Sequence, residues 1–530
     1  MTTLVSPGVS VVLIDESFYI PASAPTVPLF FIATRADKMK VDGITDAPGC
    51  KESSVVRTIT SLNQSVDTYG VPYFWQDNTG AEQHGDARNE YGLFALNQYL
   101  NIGNTAYVVR ADVDTSDNPV TTLSTDVPVL TGTGNGTMTS VVANQNTAVA
   151  ELWTITATST PTVFSVTGFV SGAQGNATQG VPYNNGIVTF TINAGVTPFI
   201  AGDTFTFNVT SSTVNDPLGI NDAAKRVTIV SALQAEINSN PDVRSDIFEY
   251  NLILCPGYHE TVDEMLNLCQ AINEEAFVIA DCPFQVSPSI MSTPEAIATW
   301  SMTIARYRSA DVGYYYPSGI ASNLDGRDVL VAASGLALKV FTYSDNVAEV
   351  WYPPAGFRRG VLTGVSNIGY VSGTLGTATT FVQTPLNQGQ RDILYQYQAN
   401  INIIPFFPGR GIVLFGQKTS YSLTSALDRI NVMRLLMKIK RDIRKAAMAY
   451  LFELNDKITR DSIKAMIDGY LNDIMMRRGL YDYVVLCDGS NNTPTRIDRN
   501  ELWVDIALKP AKSIEFIYIP IRVVATGAEI

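Results

Sequence analysis

Two histidines, His84 and His259, are the only imidazoles in 530 residues. A serine–histidine–aspartate relay would have to use one of them, because imidazole is the group that takes up a serine proton near neutral pH. His84 lies in NTGAEQHGDARNE, a polar stretch that reads as a loop. His259 follows PGY at the end of an apolar run, where an α/β fold places its reactive residues. No GxSxG elbow accompanies either one, so both read as surface or capping histidines. The glycine clusters GTGNGT and PGRG do not end in GK[ST] and do not link a strand to a helix, which a phosphate-cradling loop requires. The cysteines, Cys50, Cys255, Cys269, Cys282 and Cys487, include no CxxC pair and lack zinc spacing. They read as small buried thiols in a reducing compartment. No run of carboxylates has metal-ligand spacing. The expectation is no catalytic residue, no cofactor and no metal.

One charged pattern remains. In DRINVMRLLMKIKRDIRKAAMAYLFELND, residues 428–456, the spacing predicts one long helix. Leu435, Ile439, Ile443, Ala446 and Tyr450 form an apolar stripe. Arg434, Lys438, Arg441 and Lys445 repeat the same spacing one residue earlier, about 100° round the helix. Lys440 and Arg444 add to them, and only Asp442 opposes the six. In a chain of net charge −14 this reads either as a solvated face or as a face that docks an acidic partner. Nucleic acid fits poorly, because no aromatics interleave with the bases and the net charge repels phosphate.

The elements around these residues fall into blocks. NLILCPGY, VDEMLNLCQAINEE, FVIADCP, TPEAIATWSMTIARYR and DVGYYYP alternate strand, helix, strand, helix, strand, the rhythm of a parallel α/β sheet. From Ala111 to Ala224 the chain has no Lys or Arg. Its acids, Asp112, Asp114, Asp117, Asp126, Glu151, Asp203, Asp216 and Asp222, make it −8, more than half the net charge. Short alternating runs such as LWTITAT, GIVTFTI and DTFTFNV make it an inserted all-β domain. The expected organisation is an N-terminal arm over 1–24, and a central α/β domain over 25–112 and 222–385. The insertion occupies 113–221, an α+β domain 386–512, and a C-terminal arm 513–530.

Both ends look like strands without a sheet. MTTLVSPGVSVVLIDESF carries no charge before Asp15, and SIEFIYIPIRVV alternates near the C-terminus. The first base is Arg35, so no secretory n-region is legible. The uncharged run Ser17–Thr34 holds Pro21, Pro25 and Pro28, which rule out an ordinary spanning helix.

Several of these pieces resemble one family, the contractile tail sheath proteins of bacteriophages and related injection machines. They are SPGVSVV, FALNQYLNIGNTAYVVRAD, SADVGYYYPSG, VWYPPAGFRRGVLTGV, PGRGIVLFGQKT and the long basic helix, in that order. The insertion matches no particular sequence; the resemblance implies an outward-facing, variable domain there. It further implies a central domain of subtilisin-like topology, here without a triad, and terminal arms that complete a sheet in neighbouring subunits. The inward-facing set would be Val9, Val11 and Leu13 at one end and Ile514, Phe516 and Tyr518 at the other, or the opposite parity. The implied partners are further copies in stacked rings or helical strands, an inner tail tube, a baseplate and a tail terminator, with no nucleic acid and no direct membrane insertion. The basic face, Arg434, Lys438, Arg441 and Lys445, would grip the tube. Localisation would be the virion, after assembly in the host cytoplasm. The sheath of a bacterial injection or bacteriocin device, a tail adhesin and an α/β hydrolase are the rival readings.

Overall fold

PLFFIAT, LIL, FVIAD, VGYYY and INI offer almost no polar face. Strands of this kind are stable only when both faces are covered, as in a parallel sheet between helical layers. A computed structural model describes residues 26–76, 80–116, 120–144, 147–214, 218, 222–283, 285–287, 290–303, 308–374 and 378–519. In it these five strands join two more in one seven-stranded sheet. The order is Arg57–Ile59, Ala106–Asp114, Pro28–Thr34, Leu252–Leu254, Phe277–Asp281, Val312–Tyr316, Ile401–Ile403. Every neighbouring pair is parallel except the antiparallel edge strand Arg57–Ile59.

Helices Tyr91–Leu100 and Ala333–Val347 press on the sheet. Gly92 allows the first to approach closely: a Cβ there would lie 2.7 Å from Ile32 Cγ2. Asp281, at the end of its strand, accepts from Ser334 N, Ser334 Oγ and Gly257 N at 2.7, 2.7 and 2.8 Å. A carboxylate at the N-terminus of helix Ala333–Val347 also suits that helix's dipole. Beyond the sheet lie an antiparallel four-stranded sheet built on Ser318–Ser322 and Asn367–Thr374, and the C-terminal helices and hairpin. The hairpin pairs Leu480–Leu486 with Asp505–Pro510.

Two expectations change here. Ile401–Ile403 pairs with Val312–Tyr316 as the last strand of the central sheet, so the sheet runs past the expected boundary at 385. The described residues of 26–115 and 226–519 also cluster as one compact unit, with no separate domain beginning at 386. The reason is the helix Ile430–Ala447. It gives Ile430, Met433 and Met437 to the core of the central sheet, and Leu435 and Ile439 to the C-terminal core. That helix is also shorter than the pattern over 428–456 predicts. It ends at Ala447 in a 3-10 turn, Phe452 takes φ +70°, and Asp456 caps the next helix by accepting from Thr459 N at 2.8 Å.

The second unit, 116–225, has its own core around Trp153, Phe164, Phe190, Phe205 and Phe207. Its strands form an antiparallel sheet centred on Thr204–Val214 and Glu151–Ala157, and a smaller one on Val188–Asn193. The glycine cluster is a turn: Asp203 accepts from Thr133 N at 2.7 Å and from Gly134 N and Ile200 N at 2.9 Å. Those amides hold its carboxyl below the usual range.

Candidate functional site

Residues 513–519 carry the C-terminal candidate positions and join no strand. The last ladder residue is Pro510, and Ala511 N donates to Gly479 O at 3.0 Å. After that, none of residues 513–519 makes a backbone-to-backbone hydrogen bond with another described residue. From 513 to 516 the side chains still alternate, and from 516 to 519 all are exposed. Ser513 and Glu515 turn toward the body, whereas Ile514 is 81% exposed, Phe516 68% and Tyr518 86%. Of the two parities left open by the sequence, Ser513 and Glu515 face this subunit's own body and the apolar set faces away. A groove of about 1400 Å³ lies beside the segment, lined by Phe357, Phe407, Phe415, Tyr481, Ile514 and Phe516 among others. The rings of Phe357, Phe407 and Phe415 pack with centroids 5.0 to 5.5 Å apart. Val9, Val11 and Leu13 lie outside the described residues.

The inward set is anchored by charge. Glu515 accepts from Arg429 Nε at 2.6 Å and Nη2 at 3.1 Å, and from Gln417 Nε2 at 3.0 Å. Ser513 Oγ accepts from the same Gln417 amide. Neither Glu515 nor Arg429 was singled out from sequence. The available signal was a carboxylate at one parity of an otherwise apolar strand.

The basic face is where packing corrects the sequence. Arg434 is buried and bidentate to Asp345, with Nη1 at 2.9 Å and Nη2 at 2.5 Å, and its guanidinium lies 4.8 Å from the Phe341 ring centre. Arg441 is 7% exposed and donates to Glu275 O, and burial pushes its pKa down. Lys438 pairs with Asp442 at 2.9 Å, and Lys445 pairs with Glu249. Arg444 and Lys440 reach Glu275 and Glu274. The expected solvent-facing stripe is therefore a seam inside the subunit. Helical spacing gives the angle between faces but does not say which face meets a neighbouring element.

The histidines stand apart from any nucleophile described here. His259 packs edge-on against Trp300 at 5.9 Å, and its Nδ1 lies 3.2 Å from Glu260. Burial holds it down to about 4. Burial alone would raise Glu260, but Arg226, at 2.6 and 2.9 Å, brings it to about 2. His84 packs edge-on at 6.2 Å from Phe381, and burial lowers it too. Ser334, the hydroxyl at the sheet's carboxyl edge, is committed to Asp281. All five cysteines are buried thiols; burial pushes Cys255 and Cys269 up to about 12. Among the described residues no helix is long and apolar enough to cross a membrane, and no cluster of three ligating side chains could hold a metal.

Comparison with known proteins supplies the frame for this geometry. Residues 422–524 match the phage tail sheath C-terminal domain family. The tail sheath protein of Vibrio phage KVP40 is 41% identical over 203 residues, 38% of this chain and 28% of that protein. The tail sheath protein of Enterobacteria phage T4 is 39% identical over 186 residues, 35% of this chain and 26% of that protein. The matched segments thus span little more than a quarter of those curated relatives. By fold, the contracted sheath complex of an extracellular contractile injection system aligns at TM-score 0.56 and 14% identity, over 98% of each chain. The contracted helical sheath of the anti-feeding prophage aligns at 0.53 and 17%, over 98% of this chain and 99% of that one. These findings bear out the resemblance read from the sequence: residues 422–524 match the phage tail sheath C-terminal domain family and, along nearly its whole length, the chain is similar in fold to contractile sheath subunits.

Proposed function

We propose that this chain is the subunit of a contractile phage tail sheath, which polymerises helically around an inner tube and shortens to drive the tube through a host envelope. The observation that carries the reading is the edge at residues 513–519, with its backbone outside any ladder and Ile514, Phe516, Ile517, Tyr518 and Ile519 all at least 68% exposed. An apolar alternating segment with free N–H and C=O groups binds whatever adds a strand to it. Three large side chains buried there contribute about 1.5–3 kcal/mol each, which ordering an extended arm of some ten residues consumes unless ladder hydrogen bonds join in. Each arm therefore orders on a neighbour, with Val9, Val11 and Leu13 of one copy and Ile514, Phe516 and Tyr518 of another as the exchanging positions.

The rest of the subunit serves as the rigid body to which the arms are attached. The subtilisin-like comparison is one of topology, and the chain acts without catalysis or cofactor. Tube, baseplate and terminator are its partners in the virion, assembled in the host cytoplasm. A bacterial injection or bacteriocin device is the second reading, favoured by the fold matches to such systems. The 41% and 39% identities to phage sheaths weigh toward the phage tail. Negative-stain imaging of the purified full chain tests the proposal. Striated tubes are expected; a monodisperse globular particle at every concentration and salt condition contradicts it.

A further inference from the structure

Side-chain contacts near both ends of the described chain lead to one helix, Ile430–Ala447: directly at its N-cap from Glu515, and through Asp345 from Thr26. At the N-terminal side, Thr26 Oγ1 donates to Asp345 Oδ2 at 2.5 Å, and the Thr26 carbonyl accepts from the Tyr99 hydroxyl at 2.9 Å. The same Asp345 carboxylate is held by Arg434, and the side chains of that pair are 3% and 0% exposed. At the C-terminal side, Glu515 is held by Arg429, the residue that precedes helix Ile430–Ala447, and by Gln417 and Tyr395. Arg429 and Arg434 are five residues apart, about 7.5 Å along a helix axis.

We propose that helix Ile430–Ala447 is a strut between the two arm roots. Through the clamps Thr26–Asp345–Arg434 and Glu515–Arg429 it carries a displacement imposed by one neighbouring copy to the next. The inference rests on the sheath reading above and adds to it the element that couples the arms. Three observations support it. A bidentate arginine–carboxylate pair fixes angle as well as distance, so Arg429 sets a direction for the chain leaving Glu515, and Arg434 fixes the Asp345 carboxylate on which Thr26 rests. The helix is wedged into two cores, by Met433 and Met437 on one side and by Leu435 and Ile439 on the other, so it cannot shift without disturbing both. Residues 513–519 have no backbone ladder, which leaves the side-chain clamp as their fastening to the body. The clamp also divides the segment: among the described residues its side-chain hydrogen bonds to the body end at Glu515.

The test uses the full chain with Glu515→Ala, Thr26→Val and both together. Neither change strands a buried charge. Arg429 keeps Asp428 at 3.0 Å, and Arg434 keeps Asp345. Wild-type circular dichroism is expected for all three. Each single variant should raise the critical concentration for tube formation about fivefold to tenfold, the scale of one charge-assisted hydrogen-bonded contact. The double variant should depart from additivity, because two clamps on one strut share their effect. Glu515→Ala should also speed amide exchange at 513–515 in the soluble subunit. Tubes at the wild-type concentration with unchanged exchange overturn the clamps, and strictly additive effects overturn the strut. A wild-type chain that never forms tubes removes the sheath reading, and the exchange result at 513–515 still decides whether the Glu515 clamp holds.

Discussion

A guanidinium removed from water is tolerable only when its charge is matched within hydrogen-bonding distance. Arg434 meets that condition through Asp345, so Asp345→Ala should destabilise the subunit by about 3–5 kcal/mol in urea titration, leaving the charge buried and unmatched. Lys440→Ala should change stability by less than about 1 kcal/mol, because its pair with Glu274 is roughly half exposed on both sides. Reversing Lys438, Arg441 and Lys445 together to Glu would not isolate a docking surface, since Arg441→Glu sets a carboxylate beside buried Glu275. His259 gives a pH signature. Its folded pKa, about 4, lies below the ordinary 6.5, so the neutral form is the one the fold prefers. The stability it contributes is complete above pH 6.5 and is lost as pH falls toward 4. Its side chain is 20% exposed, which softens the effect to about 1–3 kcal/mol. Urea midpoints at pH 7 and pH 4.5 should therefore differ less in His259→Gln than in the wild type. Sequence could name the titrating and charged residues, but not their partners. Asp345 lies 89 positions from Arg434 and Glu515 lies 86 from Arg429, distances over which local spacing carries no information.

Among the elements, legibility followed the strength of the local pattern. The buried strands at 252–254, 277–281 and 312–316 were readable because uninterrupted apolar runs have no alternative but burial. The helix at Ile430–Ala447 was readable as a helix but not in extent, since MAYLFELND continues the helical composition while the chain turns through a 3-10 turn, a left-handed Phe452 and the Asp456 cap of the next helix. Ile401–Ile403 falls within the expected α+β domain over 386–512 but joins the central sheet, because three residues specify a strand and not its partner. Close packing between elements yields its own prediction. Gly92→Val drives a branched side chain into Ile32, and should cost about 1–3 kcal/mol and lower the thermal midpoint. Leu435→Ala should cost about 2–5 kcal/mol, because Leu435 is 1% exposed in the C-terminal core.

For the molecule as a whole, two units with separate cores predict two separable unfolding events. Replacing 116–225 by a short glycine–serine linker should remove one calorimetric transition, leave the other, and leave tube formation intact. The unit's boundary was visible in the sequence because a stretch devoid of Lys and Arg is a compositional signal independent of any fold pattern. How subunits join was visible only as two alternating apolar ends, and under the proposed strand exchange their partners belong to other copies of the chain. Amide exchange compared between soluble subunit and assembled tube addresses that point most directly. Residues 5–14 and 516–519 should exchange quickly in the subunit and be strongly protected in the tube. Strong protection of both segments in a verified monomer, unchanged on assembly, would contradict the account.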